Sequence, residues 1–147
     1  MNAYDNKQLV LQGYRLFQSG DIPSLLELYH NDAEWSSPES DYVPFSGKFH
    51  GKSGIAQFFA TLGASAQPMK FEPVHLIAEG EQVVATGVAT WLAKPTGRTY
   101  DTHWVHIFTL RDGKVASFEV FYDTAAAERA FHPDQPAEAA RASLLHH

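Results

Sequence analysis

Residues 98–123 read RTYDTHWVHIFTLRDGKVASFEVFYD. Two runs rich in aromatic and β-branched residues flank Asp112-Gly113, and an Asp-Gly pair between such runs is a strong hairpin signal. Taken as a two-residue turn, it pairs Arg111 with Lys114. Counting back sets Leu110 opposite Val115, Phe108 opposite Ser117, His106 opposite Glu119, Trp104 opposite Phe121 and Thr102 opposite Asp123. Directly opposed residues share one side of a sheet. Leu110, Phe108 and Val115 are apolar, so this side is expected to face a core, with His106 and Glu119 pointing into it. The opposite side then holds His103, Val105, Ile107, Phe118, Val120 and Tyr122. It is apolar enough to need a cover, and a second subunit is the expected one.

Upstream of this hairpin the strand pattern continues. Phe71–Glu79 and Gln82–Ala93 flank the turn at Gly80-Glu81, and Lys94-Pro95-Thr96-Gly97 leads into Arg98. The pattern before residue 68 is helical. Leu9, Val10, Gly13, Leu16 and Phe17 repeat at intervals of three and four over about 5–19, and Gly20 suits a left-handed helix end. Asp21 caps a short second helix with Pro23 in its first turn. Residues 30–37 form a turn and a short strand, and 38–51 a loop. A third helix opens at Lys52 or Ser53, carries Ile55, Phe58, Phe59 and Leu62, and stops near Gln67-Pro68. Thr124–Phe131 forms one more short helix, and an Ala-rich tail follows Pro133 and ends in His146-His147. Helices followed by a strand meander make an α+β domain. A strongly curved sheet, closed on one side by three N-terminal helices, leaves an internal pocket. The 147 residues fit one domain over 1–147, with a core of about 5–131 and a tail over 132–147.

Composition excludes several functions. The chain carries 11 Lys and Arg against 17 Asp and Glu, with no basic cluster, which argues against nucleic acid as a partner. It has no Cys, so it can form neither disulfides nor a thiolate metal site. The N-terminus MNAYDNKQ lacks a signal-peptide pattern, and no apolar stretch is long enough for a membrane helix. A cytoplasmic location without membrane contact is the expectation. No metal is expected either: His103 and His106 lie three apart on a strand and point to opposite faces, and no helical His pair exists. No phosphate loop, dinucleotide fingerprint or nucleophile elbow appears, and no cofactor is expected.

Aromatic residues make up 13% of the chain. Most fill a core, but the polar tips of Trp and Tyr want partners when buried, and a pocket wall supplies them. Tyr14, Phe17, Trp35, Phe59, Trp91, Trp104 and Phe121 are the expected wall. A His106–Glu119 pair in an apolar hollow is chemically useful, because the carboxylate orients the imidazole and favours its protonated form. That yields a general acid or a donor to a developing oxyanion. Asp123, at the strand end, is either a second acid/base group or the cap of the following helix.

Three stretches carry a family resemblance: 20–35 (GDIPSLLELYHNDAEW), 47–59 (GKFHGK through Phe58-Phe59) and 108–124 (FTLRDGKV through Phe121-Tyr122-Asp123-Thr124). Together they resemble the SnoaL-like, ketosteroid isomerase-like branch of the nuclear-transport-factor-2-like superfamily, over roughly 5–131. The resemblance implies a cone-shaped sheet, but fold alone does not imply function. The isomerase's general base falls at Ser37, before Pro38, so the base is missing unless Glu39 or Asp41 substitutes. The isomerase's Tyr falls near Gly13, one residue from Tyr14, and its protonated Asp falls near His106. The cyclases' acid/base Asp corresponds to Asp123.

Three functions fit. One is cofactor-independent acid/base catalysis of isomerase, cyclase or hydrolase/dehydratase type on a small apolar molecule, with His106, Glu119, Asp123 and Asp41 as catalytic candidates. The second is a non-catalytic module that binds a hydrophobic ligand. The third is a dimeric accessory domain with a filled pocket. A homodimer through the outer sheet face is expected for all three.

Overall fold

The structure is a computed structural model that describes residues 2–133; the expected tail with His146-His147 lies almost wholly outside them. In chain order the described elements are α1 (Ala3–Ser19), α2 (Ile22–Leu26), β1 (Tyr29–Ser36), β2 (Lys48–His50), α3 (Gly51–Ser65), β3 (Ala66–Glu79), β4 (Gln82–Ala93), β5 (Arg98–Arg111), β6 (Lys114–Tyr122) and α4 (Thr124–Phe131).

Local chemistry accounts for the boundaries. The Asn2 side chain accepts from the Asp5 N–H at 2.8 Å and caps α1. Gly20, at φ 78°, closes that helix in the left-handed region, where a side chain is disfavoured. Asp21 accepts from the Ser24 N–H and starts α2, with Pro23 in its first turn.

The strands form one curved, unclosed sheet in the order β2-β1-β6-β5-β4-β3. β1 runs parallel to β6, and every other neighbouring pair is antiparallel. β3 begins at Ala66, five residues earlier than the sequence pattern places it, and runs through Pro68 and Pro73. Proline cannot donate to a ladder, but β3 is an edge strand, and the pairing shifts register near both prolines. The three-residue β2 falls inside the stretch expected as loop; it is too short to show a period.

Helix α1 packs on β3 and β4, α3 on β1, and α4 on β5. Two of the side-chain ties that hold α1 in place run to backbone carbonyls. The buried Asn6 amide donates to the Gly80 carbonyl at 3.3 Å, and the Gln18 amide donates to the Phe71 carbonyl at 3.1 Å. Between these helices and the concave side of the sheet lies the core, which includes Val10, Leu25, Ile55, Val83, Leu110 and Val115.

The last hairpin departs from the simple count. Arg111 pairs with Lys114 and Leu110 with Val115, but Thr109 pairs with Ser117, so Ala116 is the extra residue of a bulge. Beyond it Phe108 faces Phe118, Ile107 faces Glu119, His106 faces Val120, Val105 faces Phe121 and Trp104 faces Tyr122. β5 keeps its expected orientation and β6 is reversed. Phe118, Val120 and Tyr122 turn inward, while Glu119 and Phe121 turn outward.

Candidate functional site

On α1, the inward positions Val10, Tyr14 and Phe17 follow intervals of four and three. On β5, Thr102, Trp104, His106 and Phe108 share the concave face at intervals of two. These two sets meet at a cavity of about 130 Å³. Six of the seven expected wall residues line it: Tyr14, Phe17, Trp35, Phe59, Trp91 and Trp104; His106 does so too. The sequence reading missed Phe71 from β3, Tyr29 from β1, Tyr100 from β5, and Phe118, Val120 and Tyr122 from β6. The three β6 residues were concealed by the bulge at Ala116.

The other four expected site residues lie elsewhere. Glu119 is exposed on the convex face opposite Ile107, too far round the strand to orient His106. Phe121 is 49% exposed on that same face. The Asp123 carboxylate accepts from the Ala126 N–H at 3.0 Å and caps α4, so its observed partner is the helix. Asp41 is exposed in the loop between β1 and β2 and lines no part of the cavity.

Inside the cavity, the Tyr14 hydroxyl and His106 Nδ1 share a hydrogen bond of 2.8 Å. His106 lies between rings. Its imidazole stacks on Trp104 at a centroid distance of 4.0 Å, and Trp104 stacks on Phe71 at 4.9 Å. Phe118 meets the imidazole edge-on at 4.8 Å and stacks on Trp35 at 3.9 Å. His106 Nε2 has no hydrogen-bond partner among the described residues.

Burial in this apolar wall lowers the His106 pKa from 6.5 to about 3. His106 keeps some accessible surface, but it sits on the cavity wall among aromatic rings rather than facing bulk water. The imidazole is therefore neutral at physiological pH, the reverse of the protonated form expected from a Glu119 partner. Burial also raises the phenol pKa values of Tyr14 and Tyr29, with a smaller mutual contribution at Tyr14. Burial, aided by Glu128, pushes Tyr122 up to about 12. Among the described residues no Asp, Glu, Lys or Arg lines the cavity. The wall is apolar and uncharged, with a neutral phenol–imidazole pair set into it.

Comparison with known proteins places this geometry in a wider group. The profile of the SnoaL-like domain matches residues 10–118. No curated protein matches the sequence. Among solved structures, an NTF2-like protein from Burkholderia xenovorans is 31% identical, with a TM-score of 0.82 over 90% of this chain and 99% of that one. An NTF2-like protein of unknown function from Burkholderia pseudomallei is 26% identical, with a TM-score of 0.81 over 90% and 99%. TerC, co-crystallised with polyporic acid, is 30% identical, with a TM-score of 0.78 over 86% and 98%. With the domain profile spanning most of its length, the chain belongs to the SnoaL-like domain family of the nuclear-transport-factor-2-like superfamily.

Proposed function

We propose that the protein binds a small, neutral, largely apolar molecule in the cavity beneath α1, with Tyr14 and His106 as its polar anchor. The observation that carries this reading is the composition of the wall. About 25 side chains meet the cavity and none of those described is charged, so a charged ligand would lose its hydration with no counter-ion to replace it. An apolar ligand incurs no such cost and gains the burial of its surface, at roughly 25 cal/mol per Å².

Volume limits the ligand further. An apolar cavity of about 150 Å³ accommodates benzene. At about 130 Å³, this one suits a single ring or a branched chain of similar bulk. TerC's complex with polyporic acid makes that compound a natural probe. As an acid it brings charge that the wall has no counter-ion to balance, so it should bind less well than neutral one-ring compounds.

The catalytic reading keeps one supporting feature. A neutral imidazole with a free Nε2 can polarise a carbonyl without carrying charge. The proton-abstracting half of an isomerase or cyclase mechanism has no carboxylate to perform it among the described wall residues. Binding is therefore the reading the geometry supports best, with turnover by carbonyl polarisation as the second.

The test begins with native mass spectrometry of protein purified without organic additives, followed by thermal shift with one-ring apolar compounds. The expected result is a copurified or added neutral ligand that raises Tm, with a shift that shrinks several-fold in His106→Ala. No stabilisation by any neutral apolar compound would dispose of the reading.

The convex side of the sheet bears the second element of the proposal, a homodimer. Ile77, Val84 and Ile107 form a cross-strand row there, and Val105 pairs with Phe121 beside it. Ile77 is 63% exposed and Phe121 49%. A second copy of the chain covering this face would remove that apolar surface from water.

A further inference from the structure

One corner of the cavity is closed by side chains that also meet solvent. Phe17 on α1, Phe59 on α3, Phe71 on β3 and Trp91 on β4 line the cavity, and each is only half-buried. Their rings meet in series. Phe17 lies 6.1 Å from Phe59 and 5.2 Å from Phe71, and Phe71 lies 6.3 Å from Trp91. Phe71 reaches from this corner to the polar anchor. It stacks on Trp104 at 4.9 Å, and its ring lies 6.0 Å from Tyr14 and 6.3 Å from His106. Displacing Phe71 would open a path from solvent to all three.

The segment that carries Phe71 is weakly held. β3 is an edge strand, so among the described residues it pairs on one side only, with β4. That ladder is interrupted twice. Pro68 pairs with Trp91 and Lys70 with Thr90, which leaves Met69 looped out. Pro73 pairs with Gly87 and His75 with Thr86, which leaves Val74 looped out. Both extra residues are exposed, Met69 at 58% and Val74 at 54%. Between them Lys70, Phe71, Glu72 and Pro73 pair with β4, and Pro73 has no N–H to donate. On the helix side, the Gln18 amide donates to the Phe71 carbonyl across an exposed contact of 3.1 Å. A short segment bounded by two bulges, with few ladder bonds and a solvent-exposed tie, belongs to the low-stability end of a fold.

We propose that residues 70–73 are the door of the cavity: they swing out as a unit on the bulges at Met69 and Val74, carry Phe71 off Trp104 to admit a ligand, and are latched shut by Gln18. The proposal rests on the cavity being the ligand site. Passage elsewhere through the sheet is harder, because β1, β6, β5 and β4 each have a neighbour on both sides and would have to part from one of them. The door needs only a few ladder bonds, one aromatic stack and the Gln18 contact to give way. All of these reform when the segment closes, whether or not the cavity is filled. The latch therefore sets how fast a ligand enters and leaves, and affects its affinity little.

The test is a removable bolt. The chain contains no Cys, so one introduced disulfide has no competitor. Glu72 and Val88 are directly opposed. Opposed Cα atoms of an antiparallel pair lie about 4.5–5.5 Å apart, within disulfide reach. Glu72→Cys with Val88→Cys therefore fastens the door when oxidised and frees it when reduced. The probe is fluorobenzene, a neutral single ring whose exchange between free and bound states is read by fluorine NMR on the full chain. Exchange is expected to be at least about tenfold slower in the oxidised form than in the same protein reduced, as blocking a segment-scale opening requires, with little change in affinity. Gln18→Ala should speed exchange roughly two- to tenfold, the worth of one hydrogen bond, again at nearly constant affinity. Equal rates in the oxidised and reduced forms overturn the proposal and leave the cavity reading standing. If the disulfide does not form, Gln18→Ala decides alone, and an unchanged rate in it overturns the proposal. Failure of fluorobenzene to bind the wild-type chain removes the ligand site itself and the door with it.

Discussion

His106 shows how a single residue's role follows from what surrounds it. In the unfolded chain it titrates near 6.5, and in the folded protein burial holds it near 3. Between those values the unfolded state binds a proton that the folded state does not. Acidification from pH 7 therefore costs stability, the loss is complete below about pH 3, and above pH 7 the residue contributes no pH dependence. The slope from this one group reaches at most about 1.4 kcal/mol per pH unit. Urea unfolding of the wild-type chain and of His106→Phe from pH 7 to pH 4 isolates it, because the other titrating groups are common to both proteins. The stability difference should move against the wild type as pH falls. A difference that stays constant over that range would mean that the imidazole is solvated, and the apolar description of the cavity would be wrong.

Between elements, β4 and β5 pack tightly at Gly87 of β4, which pairs with Trp104 of β5. A Cβ placed there would lie 2.2 Å from Trp104 Cζ2 and 2.3 Å from the Glu72 carbonyl oxygen. Glycine is thus what lets the Trp104 indole lie flat on the strand and carry the His106 stack. Gly87→Ala should destabilise the protein by about 1–3 kcal/mol, the usual range for overpacking. A smaller residue at Trp104 should restore only part of the loss, since the clash with the Glu72 backbone remains. Chemical denaturation of Gly87→Ala and of Gly87→Ala with Trp104→Leu measures both effects, and full rescue would show that the β3 backbone moves freely.

The same scale explains what the sequence could and could not disclose. Helix α1, its Gly20 end, the Asp21 cap and the Asp112-Gly113 turn were legible because each rests on neighbours in the chain. So was the inward face of β5, which depends only on alternation along one strand. The inward face of β6 was not, because it depends on Ala116 being looped out of the ladder, and no local property of Ala-Ser marks that residue as a bulge. That one-residue step moved Glu119 and Phe121 to the convex face and brought Phe118 and Tyr122 into the cavity. The expected His106–Glu119 pair depended on register and was lost with it; Tyr14, on another element, is the partner the imidazole has.

For the molecule as a whole, the question is what covers the convex face. The concave face is filled by helices and cavity, and four adjacent strands, β3 to β6, present Ile77, Val84, Val105, Ile107 and Phe121 on the other side. A two-fold interface of ordinary size buries about 800 Å² on each partner. Because these side chains point away from the cavity, charge placed among them should separate association from ligand binding. Ile77→Asp combined with Phe121→Asp is expected to convert a dimer into a single-chain species at low micromolar concentration, read by light scattering, while the thermal shift produced by a cavity ligand persists. A wild-type chain that is already monomeric at that concentration would remove the dimer. A double variant that is monomeric but no longer responds to ligand would show that the cavity depends on the partner, and that the two faces of the sheet act as one unit.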